Sequence, residues 1–147
     1  MTAITSATTY VTRMRDILAT MDGIGTDVSD GVDLQETPGY EVFLKGGQHQ
    51  HNIGSKRRDI TRTLSVRVYY TRVEDPSKEE ALRIARAAVQ DEIEAWVDHI
   101  FNHVNLSLND AGPVITGDAE DSFGILPYGT NAYFGFDIDL TINYRRG

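Results

Sequence analysis

The clearest hydrophobic pattern lies near the end of the chain. From Phe134 to Tyr144 every second residue is apolar or aromatic, and the residues between them are Gly135, Asp137, Asp139, Thr141 and Asn143. A period of two over eleven residues predicts one extended strand with an apolar face and a polar face.

A second alternating segment covers residues 60–71. One face carries Ile60, Leu64, Val66, Val68 and Tyr70, with Arg62 interrupting it near the edge; the other carries Thr61, Thr63, Ser65, Arg67, Tyr69 and Thr71. Thr, Val and Tyr suit a half-buried pleated surface. A shorter strand is predicted at residues 40–45, and the matching patterns place the two long strands in one sheet.

Two segments have helical periodicity instead. Apolar residues recur at gaps of three and four in the first, at Ile4, Ala7, Val11, Met14, Leu18 and Met21. The second spans 75–104, with Asp75 as N-cap, Pro76 in the first turn, and an apolar stripe of Leu82, Ala85, Val89, Ile93, Trp96, Val97, Ile100 and Val104. Such stripes predict two amphipathic helices, the second long.

The segments between these elements are rich in glycine and polar residues. Residues 22–39 predict a loop with room for one short strand, and residues 45–59 predict a long flexible loop between two strands. Breakers punctuate residues 105–133, where short strands are predicted at 114–116 and 123–126.

This order of elements predicts the fold class. We expect a single α+β domain over residues 1–147, a two-layer sandwich in which an N-terminal helix and one long helix pack on one face of a mostly antiparallel sheet of four or five strands.

Composition and net charge narrow the classes of function that the chain can have. The chain has 147 residues, no cysteine, and a net charge of −8, so disulfide and thiol chemistry are excluded and tight nucleic-acid binding is disfavoured. No apolar run approaches the ~20 residues of a membrane span, and the N-terminus does not resemble a secretion signal.

Histidines are the first candidate for chemistry. His99 and His103 are four apart on the long helix, a spacing that metal sites use, and His49 and His51 could add ligands from the loop. The zinc-protease pattern is absent, and histidines near a helix C-terminus also have a structural explanation, because positive charge is favoured there.

Paired acids are the second candidate. Asp137 and Asp139 project from the same side of a strand, about 6–7 Å apart at ~3.3 Å per residue. That separation would suit a pair of carboxylates in hydrolysis, whereas solvated acids on a strand face are the simpler interpretation.

Basic residues are the third candidate. Lys56, Arg57, Arg58, Arg62, Arg67 and Arg72 fall within seventeen positions. They fit a nucleic-acid patch, or a basic loop that meets an acidic neighbour in a homo-oligomer. Phosphate-binding glycine loops and dinucleotide fingerprints are absent, so no cofactor, catalytic residue or resident metal is predicted.

The layout resembles that of tail-terminator proteins of long-tailed bacteriophages. The segments that carry the resemblance are "YVTRMRDIL", "TLSVRVYY" followed by "DPSKEEALRIARAAVQDEIEAWV", and "FGFDIDLTINYRR". It is a similarity of layout over most of the chain, without a diagnostic motif, and other neck and tail-completion proteins share it.

The resemblance implies a structural virion protein of the tail or neck, assembled in the host cytoplasm. It implies a homohexameric ring that caps the tail tube, ends polymerisation and meets the head-side connector or stopper protein. Viral DNA would pass through its channel without tight binding, and no membrane or enzymatic activity is implied.

On that interpretation two sets of residues have roles. The channel or a subunit seam is predicted to be lined by Arg67, Asp137, Asp139, Thr141 and Asn143, with Thr61, Thr63 and Ser65 beside them. The loop would reach a neighbouring subunit or the tube through Gln48, His49, Gln50, His51, Lys56, Arg57 and Arg58.

Two alternatives stay open at this point. One is a small metal-dependent hydrolase that uses His99, His103, Asp137 and Asp139, and metal content after purification would reveal it. The other is a nucleic-acid-binding module that uses Lys56, Arg57, Arg58 and Arg62, whose affinity would fall steeply with added salt.

Overall fold

The computed structural model describes residues 7–21, 25–31, 33–34, 37–51, 54, 58–73, 79–102 and 115–146. Within these residues the elements follow the order α1 (Ala7–Leu18), β1 (Thr26–Asp27), β2 (Gly39–His51), β3 (Arg58–Val73), α2 (Glu79–Phe101), β4 (Ile115–Tyr128) and β5 (Asn131–Arg146). The predicted α+β class is confirmed.

The strands form one sheet in the order β1-β2-β3-β5-β4. All neighbouring pairs are antiparallel except the short β1, which runs parallel to β2. The two long alternating strands predicted from the sequence, β3 and β5, lie side by side at the centre and pair from Arg58↔Arg146 to Val73↔Ala132.

Both helices pack on one face of this sheet, which we call the helix face. α1 lies over β2, and α2 lies over β4 and β5. The core between the layers is built from the predicted stripes and strand faces, with these side chains fully buried: Met14, Leu18, Leu64, Val66, Val68, Val89, Ile100, Phe136, Ile138 and Ile142. Tyr10 and Ile17 of α1 join this core, although the predicted stripe did not contain them.

A single tryptophan marks the centre of the core. Trp96 of α2 is buried, and its ring meets Tyr40 of β2 and Phe136 of β5 edge to face at centroid distances of 5.8 and 6.1 Å. Such aromatic contacts stabilise the packing of helix on sheet beyond the area they bury.

Ion pairs fix α1 to the segment that follows it. Arg15 donates from Nε to Asp27 Oδ2 at 2.7 Å and from Nη2 to Asp30 Oδ2 at 2.8 Å. Burial opposes ionisation of Asp27, but hydrogen bonds from Ser29 and Arg15 outweigh it and lower the pKa of that carboxyl. The helix is therefore held by charge as well as by its apolar stripe.

The prediction of a long loop over 45–59 is wrong for most of its length. Residues 45–51 belong to β2 and Arg58 and Asp59 to β3, and Gly47–His51 pairs with Arg58–Arg62. Backbone pairing extends the hairpin although the side chains are polar, because β5 supports β3 along its other edge. The predicted contact residues Gln48, His49, Gln50 and His51 thus lie on a strand, and Lys56 and Arg57 lie outside the described residues.

The two short strands predicted at 114–116 and 123–126 are one strand. β4 runs from Ile115 to Tyr128, with a register shift between Ile115 and Ala119. Gly117 and Gly124 suggested breaks, but glycine is tolerated in a strand where a bulge occurs or another backbone approaches closely. Val114, Asp75, Pro76, Ile4 and Val104 lie outside the described residues.

Candidate functional site

The face of the sheet opposite the helices carries the charged residues that the sequence analysis singled out. We call it the polar face and define it by Lys45 of β2, Arg67 of β3, and Asp137 and Asp139 of β5. Cross-strand register places Arg67 directly opposite Asp137, and Ser65 directly opposite Asp139. Alternation along each strand therefore brings these groups together, as the sequence predicted for β3 and β5.

Arg67 and Asp137 form a two-point ion pair. Arg67 Nε donates to Asp137 Oδ1 at 2.7 Å, and Nη2 donates to Oδ2 at 3.0 Å. Only 10% of the Asp137 side chain and 27% of the Arg67 side chain are exposed. The hydrogen bonds to Asp137 raise the pKa of Arg67, so the guanidinium stays charged at every relevant pH.

Lys45 holds the second carboxylate. Its Nζ lies 3.0 Å from both carboxylate oxygens of Asp139 and 4.0 Å from Asp137 Oδ2. Lys45 belongs to β2 and Asp139 to β5, so the lysine side chain crosses β3 to reach its partner. Asp137 and Asp139 are thus both engaged by cations, which favours a structural role for them over acid–base work.

Ser65 lies on β3, where that crossing takes place. It is completely buried, and its hydroxyl has no hydrogen-bond partner among the described residues. Phe43 lies opposite Ser65 on β2, and its ring packs under the Arg67 guanidinium, with 5.2 Å from Cζ to the ring centroid. The aromatic ring and the two cations therefore shield this part of β3 from water.

One end of the polar face is apolar. Tyr69 and Tyr133 are buried there with Val28, and Leu34, Leu126 and Tyr128 pack against them. The Tyr69 hydroxyl donates to Glu41 Oε1 at 2.7 Å. Burial, followed by this hydrogen bond, raises the pKa of Tyr69 above its ordinary value. The segment after β1 therefore covers a part of the face that alternation alone assigned to polar groups.

A shallow groove of about 450 Å³ lies on the polar face beside β4. It is lined by Thr63, Ala119, Glu120, Asp139 and Thr141. Glu120 lies directly opposite Asp139 in the register of β4 and β5, and Glu120 is exposed. Two acids side by side repel each other, and Lys45 is bonded to Asp139 alone of the two.

The end of the β2–β3 hairpin is polar and exposed. Thr61 Oγ1 donates to Asn143 Oδ1 at 2.9 Å, which joins β3 to β5 there. A second shallow cavity of about 450 Å³ is lined by Gln48, His49, Gln50, Asp59 and Thr61. Gln48, Gln50 and His51 are exposed as well, so the hairpin offers hydrogen-bonding groups to a partner.

The predicted basic cluster is divided between the two sides of the sheet. Arg67 lies on the polar face, whereas Arg62 pairs with Ile142 and so shares a face with the core residues. Arg58 begins β3 opposite His51. Arg62 and Arg67 therefore lie on opposite faces of the sheet, and Lys56 and Arg57 are outside the described residues.

His99 contacts α1. Its Nε2 lies 3.0 Å from the carbonyl oxygen of Ile17 and 3.1 Å from Thr20 Oγ1, at the C-terminal end of that helix. His103 lies outside the described residues, and His49 and His51 are on β2. Among the residues that are described, no group of three or more His, Asp or Glu side chains is arranged to hold a metal ion.

Sequence reasoning missed three members of this site. These are Lys45, Glu41 and Glu120, which pair with or lie beside the predicted residues. Each belongs to a segment that the sequence analysis assigned to a loop or to a short strand. The alternation of Glu41, Phe43 and Lys45 was the available signal, because it puts both charges on one face of β2.

Comparisons with known proteins assign no family to this chain. No family model matches the chain, and no curated protein matches it. In the described part of the chain no helix has both the length and the apolar character that crossing a membrane requires.

Proposed function

We propose that the protein is a structural component of a bacteriophage virion, a tail terminator. In this proposal it forms a ring on the end of the tail tube, stops tube polymerisation, and joins the tail to the head-side connector or stopper protein while leaving a channel for DNA. The observation that carries the proposal is the polar face, where carboxylates of β5 are bonded to cations of β2 and β3.

The bonding pattern suits the lining of a channel more than a catalytic site. Asp137 is held at two points by Arg67, and Asp139 is held by Lys45. A general base or nucleophile must be able to reach substrate, whereas these carboxylates already have their hydrogen-bond donors. The arrangement stiffens the three strands that carry it.

The charge of the protein and of its polar face supports the passage of DNA through such a channel. The chain carries a net charge of −8, and the cations of the polar face are neutralised by their partners. Tight binding to phosphates needs cations that are free to replace counterions. A surface of paired charges, to which Glu120 adds a further negative charge, repels the DNA phosphates and leaves the DNA mobile.

The order of elements supports the resemblance on which the proposal depends. The starting helix, paired strands, long helix and final alternating strand occur in the expected sequence. The exposed end of the β2–β3 hairpin is the segment that we assign to contacts with the tube or a neighbouring subunit, through Gln48, His49, Gln50 and His51.

Electron microscopy of tail tubes tests this function. The tube protein encoded in the same genome is expressed with and without this chain, and tube lengths are measured. We expect short tubes with an added density at one end when the chain is present. Tubes of unchanged length without end density would contradict the proposal.

A further inference from the structure

Both edges of the sheet present backbone that is not paired within the described residues. β4 is an edge strand of 14 residues, about 45 Å long at ~3.3 Å per residue. At the other edge β1 pairs only with Gly39 and Tyr40, and the Ser29 hydroxyl accepts from the Val42 amide. The outer edge of β2 from Phe43 to His51 therefore has no strand beside it in the described chain.

Long unpaired edges are binding surfaces for other strands. Proteins that remain monomeric protect such edges with short strands, proline, bulges, or charged side chains, lysine in particular. β4 has a register shift between Ile115 and Ala119 and Pro127 near its end, and β2 has a register shift between Leu44 and Gly47. Residues 119–126 and 47–51 contain neither proline nor a register shift. An edge of this length is suited to backbone pairing with another chain.

The two edges differ in charge. Residues 119–122 of β4 contain Glu120 and Asp121 and no basic residue, whereas residues 43–51 of β2 contain no acid and one lysine, Lys45, which is bonded to Asp139. A β4 edge placed against a second β4 edge would bring these acids together, whereas the β2 edge has no acid to oppose them. Charge favours the pairing of unlike edges.

Glu120 gives a local reason for the same pairing. It lies opposite Asp139, whose charge is compensated by Lys45, so the Glu120 carboxylate adds a further negative charge at this edge. The row that contains Glu120 continues through Asp139 and Ser65 to Phe43. If that row is extended to the next copy, Glu120 lies beside the neighbour's Phe43, and Lys45 is two residues farther along β2.

We infer that the outer edge of β4 pairs antiparallel with the outer edge of β2, residues 43–51, in a second copy of this chain. The strand directions alternate across β2, β3, β5 and β4, so a neighbour in the same orientation continues the alternation. The contact is head to tail, and such a contact forms a ring where the rotation between copies closes. The inference rests on the self-assembly in the proposed function and names the surfaces that perform it.

Cysteine crosslinking tests the pairing, since the chain has no cysteine of its own. One set of variants places a thiol on β4, as Glu120→Cys or Ser122→Cys. The other places a thiol on β2, as Gly46→Cys or Gln48→Cys. Each β4 variant is mixed with each β2 variant, allowed to exchange subunits, and treated with a flexible bis-maleimide.

We expect covalent dimers in the mixtures, with the most efficient pair reporting the register. Each variant treated alone is expected to give few dimers, because the thiols of neighbouring copies would lie at different interfaces. Arg83→Cys, on an exposed position of α2, is the matched control and is expected to give few dimers with either set. Equal crosslinking of the control, or dimers mainly from single variants, would overturn the inference.

A charge reversal provides an independent measurement. Glu120→Lys is expected to reduce self-association at least tenfold, and Glu94→Lys, which makes the same change on the exposed side of α2, is expected to leave it unchanged. Equal effects would contradict the inference.

The two proposals fail in different ways. Rings without β4–β2 crosslinks would overturn this inference and leave the tail-terminator proposal standing. Crosslinked rings that do not alter tube length would support the edge pairing and contradict the tail-terminator function. A chain that yields no crosslinks and no assembly at any concentration would overturn the pairing.

Discussion

At the scale of single residues, the Arg67–Asp137 ion pair dominates the polar face. It combines two short hydrogen bonds with little solvent exposure, so screening by water is weak. Exposed ion pairs contribute little to stability, but removal of one partner from a buried pair leaves a charge without compensation. The pair is therefore costly to break even if a hydrophobic replacement of both partners would be tolerated.

Replacement of one partner measures this effect. Asp137→Asn keeps the shape of the side chain but leaves the Arg67 guanidinium without a counter-charge, and we expect a loss of about 2 kcal/mol in the free energy of unfolding. Asp30→Asn removes an acid that pairs with Arg15 while 71% exposed, and should cost less than about 0.5 kcal/mol. Equal losses in urea denaturation would contradict the account.

Ser65 gives a prediction of the opposite sign. Its buried hydroxyl has no partner in the described chain, and an unsatisfied buried polar group is costly. Ser65→Ala removes the hydroxyl and keeps the space through which Lys45 crosses β3. We expect an increase of about 1 kcal/mol in stability by urea denaturation, and a decrease would show that the hydroxyl has a partner.

At the scale of elements, the two helices are attached to the sheet by different means. α2 buries Val89, Ile93, Trp96 and Ile100 and depends on apolar packing. α1 buries a shorter stripe and adds the ion pairs of Arg15 with Asp27 and Asp30. The two attachments should therefore respond differently to core mutations and to pH.

Acid tests the attachment of α1. The pKa of Asp27 is lowered in the folded protein, so its contribution to stability is complete above the unfolded value of about 4 and is lost as the pH falls through the folded pKa. We expect Asp27→Asn to destabilise the protein at pH 7 and to have a smaller effect at pH 3. Urea denaturation at both pH values measures it; an equal effect would contradict the role of the charge.

A core substitution tests the attachment of α2. Phe136→Ala removes a fully buried ring that meets Trp96 in a T-shaped contact and should cost about 3–5 kcal/mol. Ile84→Ala, on α2 itself but 62% exposed, should change stability by less than about 0.5 kcal/mol. The fluorescence of Trp96, the single tryptophan, reports both unfolding transitions. Comparable losses in the two variants would place the core elsewhere.

The elements that the sequence predicted well are those with an apolar face. β3, β5 and the stripe of α2 were predictable because burial on one side imposes a period of two or 3.6. The end of β2 and part of β4 lack that signal, since Gly47–His51 and Glu120–Ser122 form strands through backbone pairing with a neighbour. Hydrophobic periodicity reveals which strands and helices bury one face. A strand that is held by backbone pairing alone produces no such period in the sequence.

The candidate site was predictable in part for the same reason. Alternation placed Arg67, Asp137 and Asp139 on one face, but it could not pair them, because register depends on which strands are neighbours. Lys45 reaches Asp139 across an intervening strand, a contact that no local pattern contains. The burial of Tyr69 depends on its contact with the segment that carries Val28. The sequence predicts this segment as a loop, and a loop prediction does not say where the segment packs.

At the scale of the whole molecule, the two layers separate two functions. The helix face holds the core, and the polar face and the strand edges are the surfaces that we assign to DNA passage and to neighbouring copies. In that account Asp137 and Asp139 are paired with cations of the same chain, while the pairing of the β2 and β4 edges joins neighbouring copies.

The mass of the assembled particle tests this account most directly, and native mass spectrometry over a range of concentrations measures it. We predict one dominant closed species near six times the chain mass of 16.4 kDa, which Glu120→Lys disrupts and Glu94→Lys does not. A particle of 16.4 kDa at every concentration, or an open series of masses that grows with concentration, would contradict it.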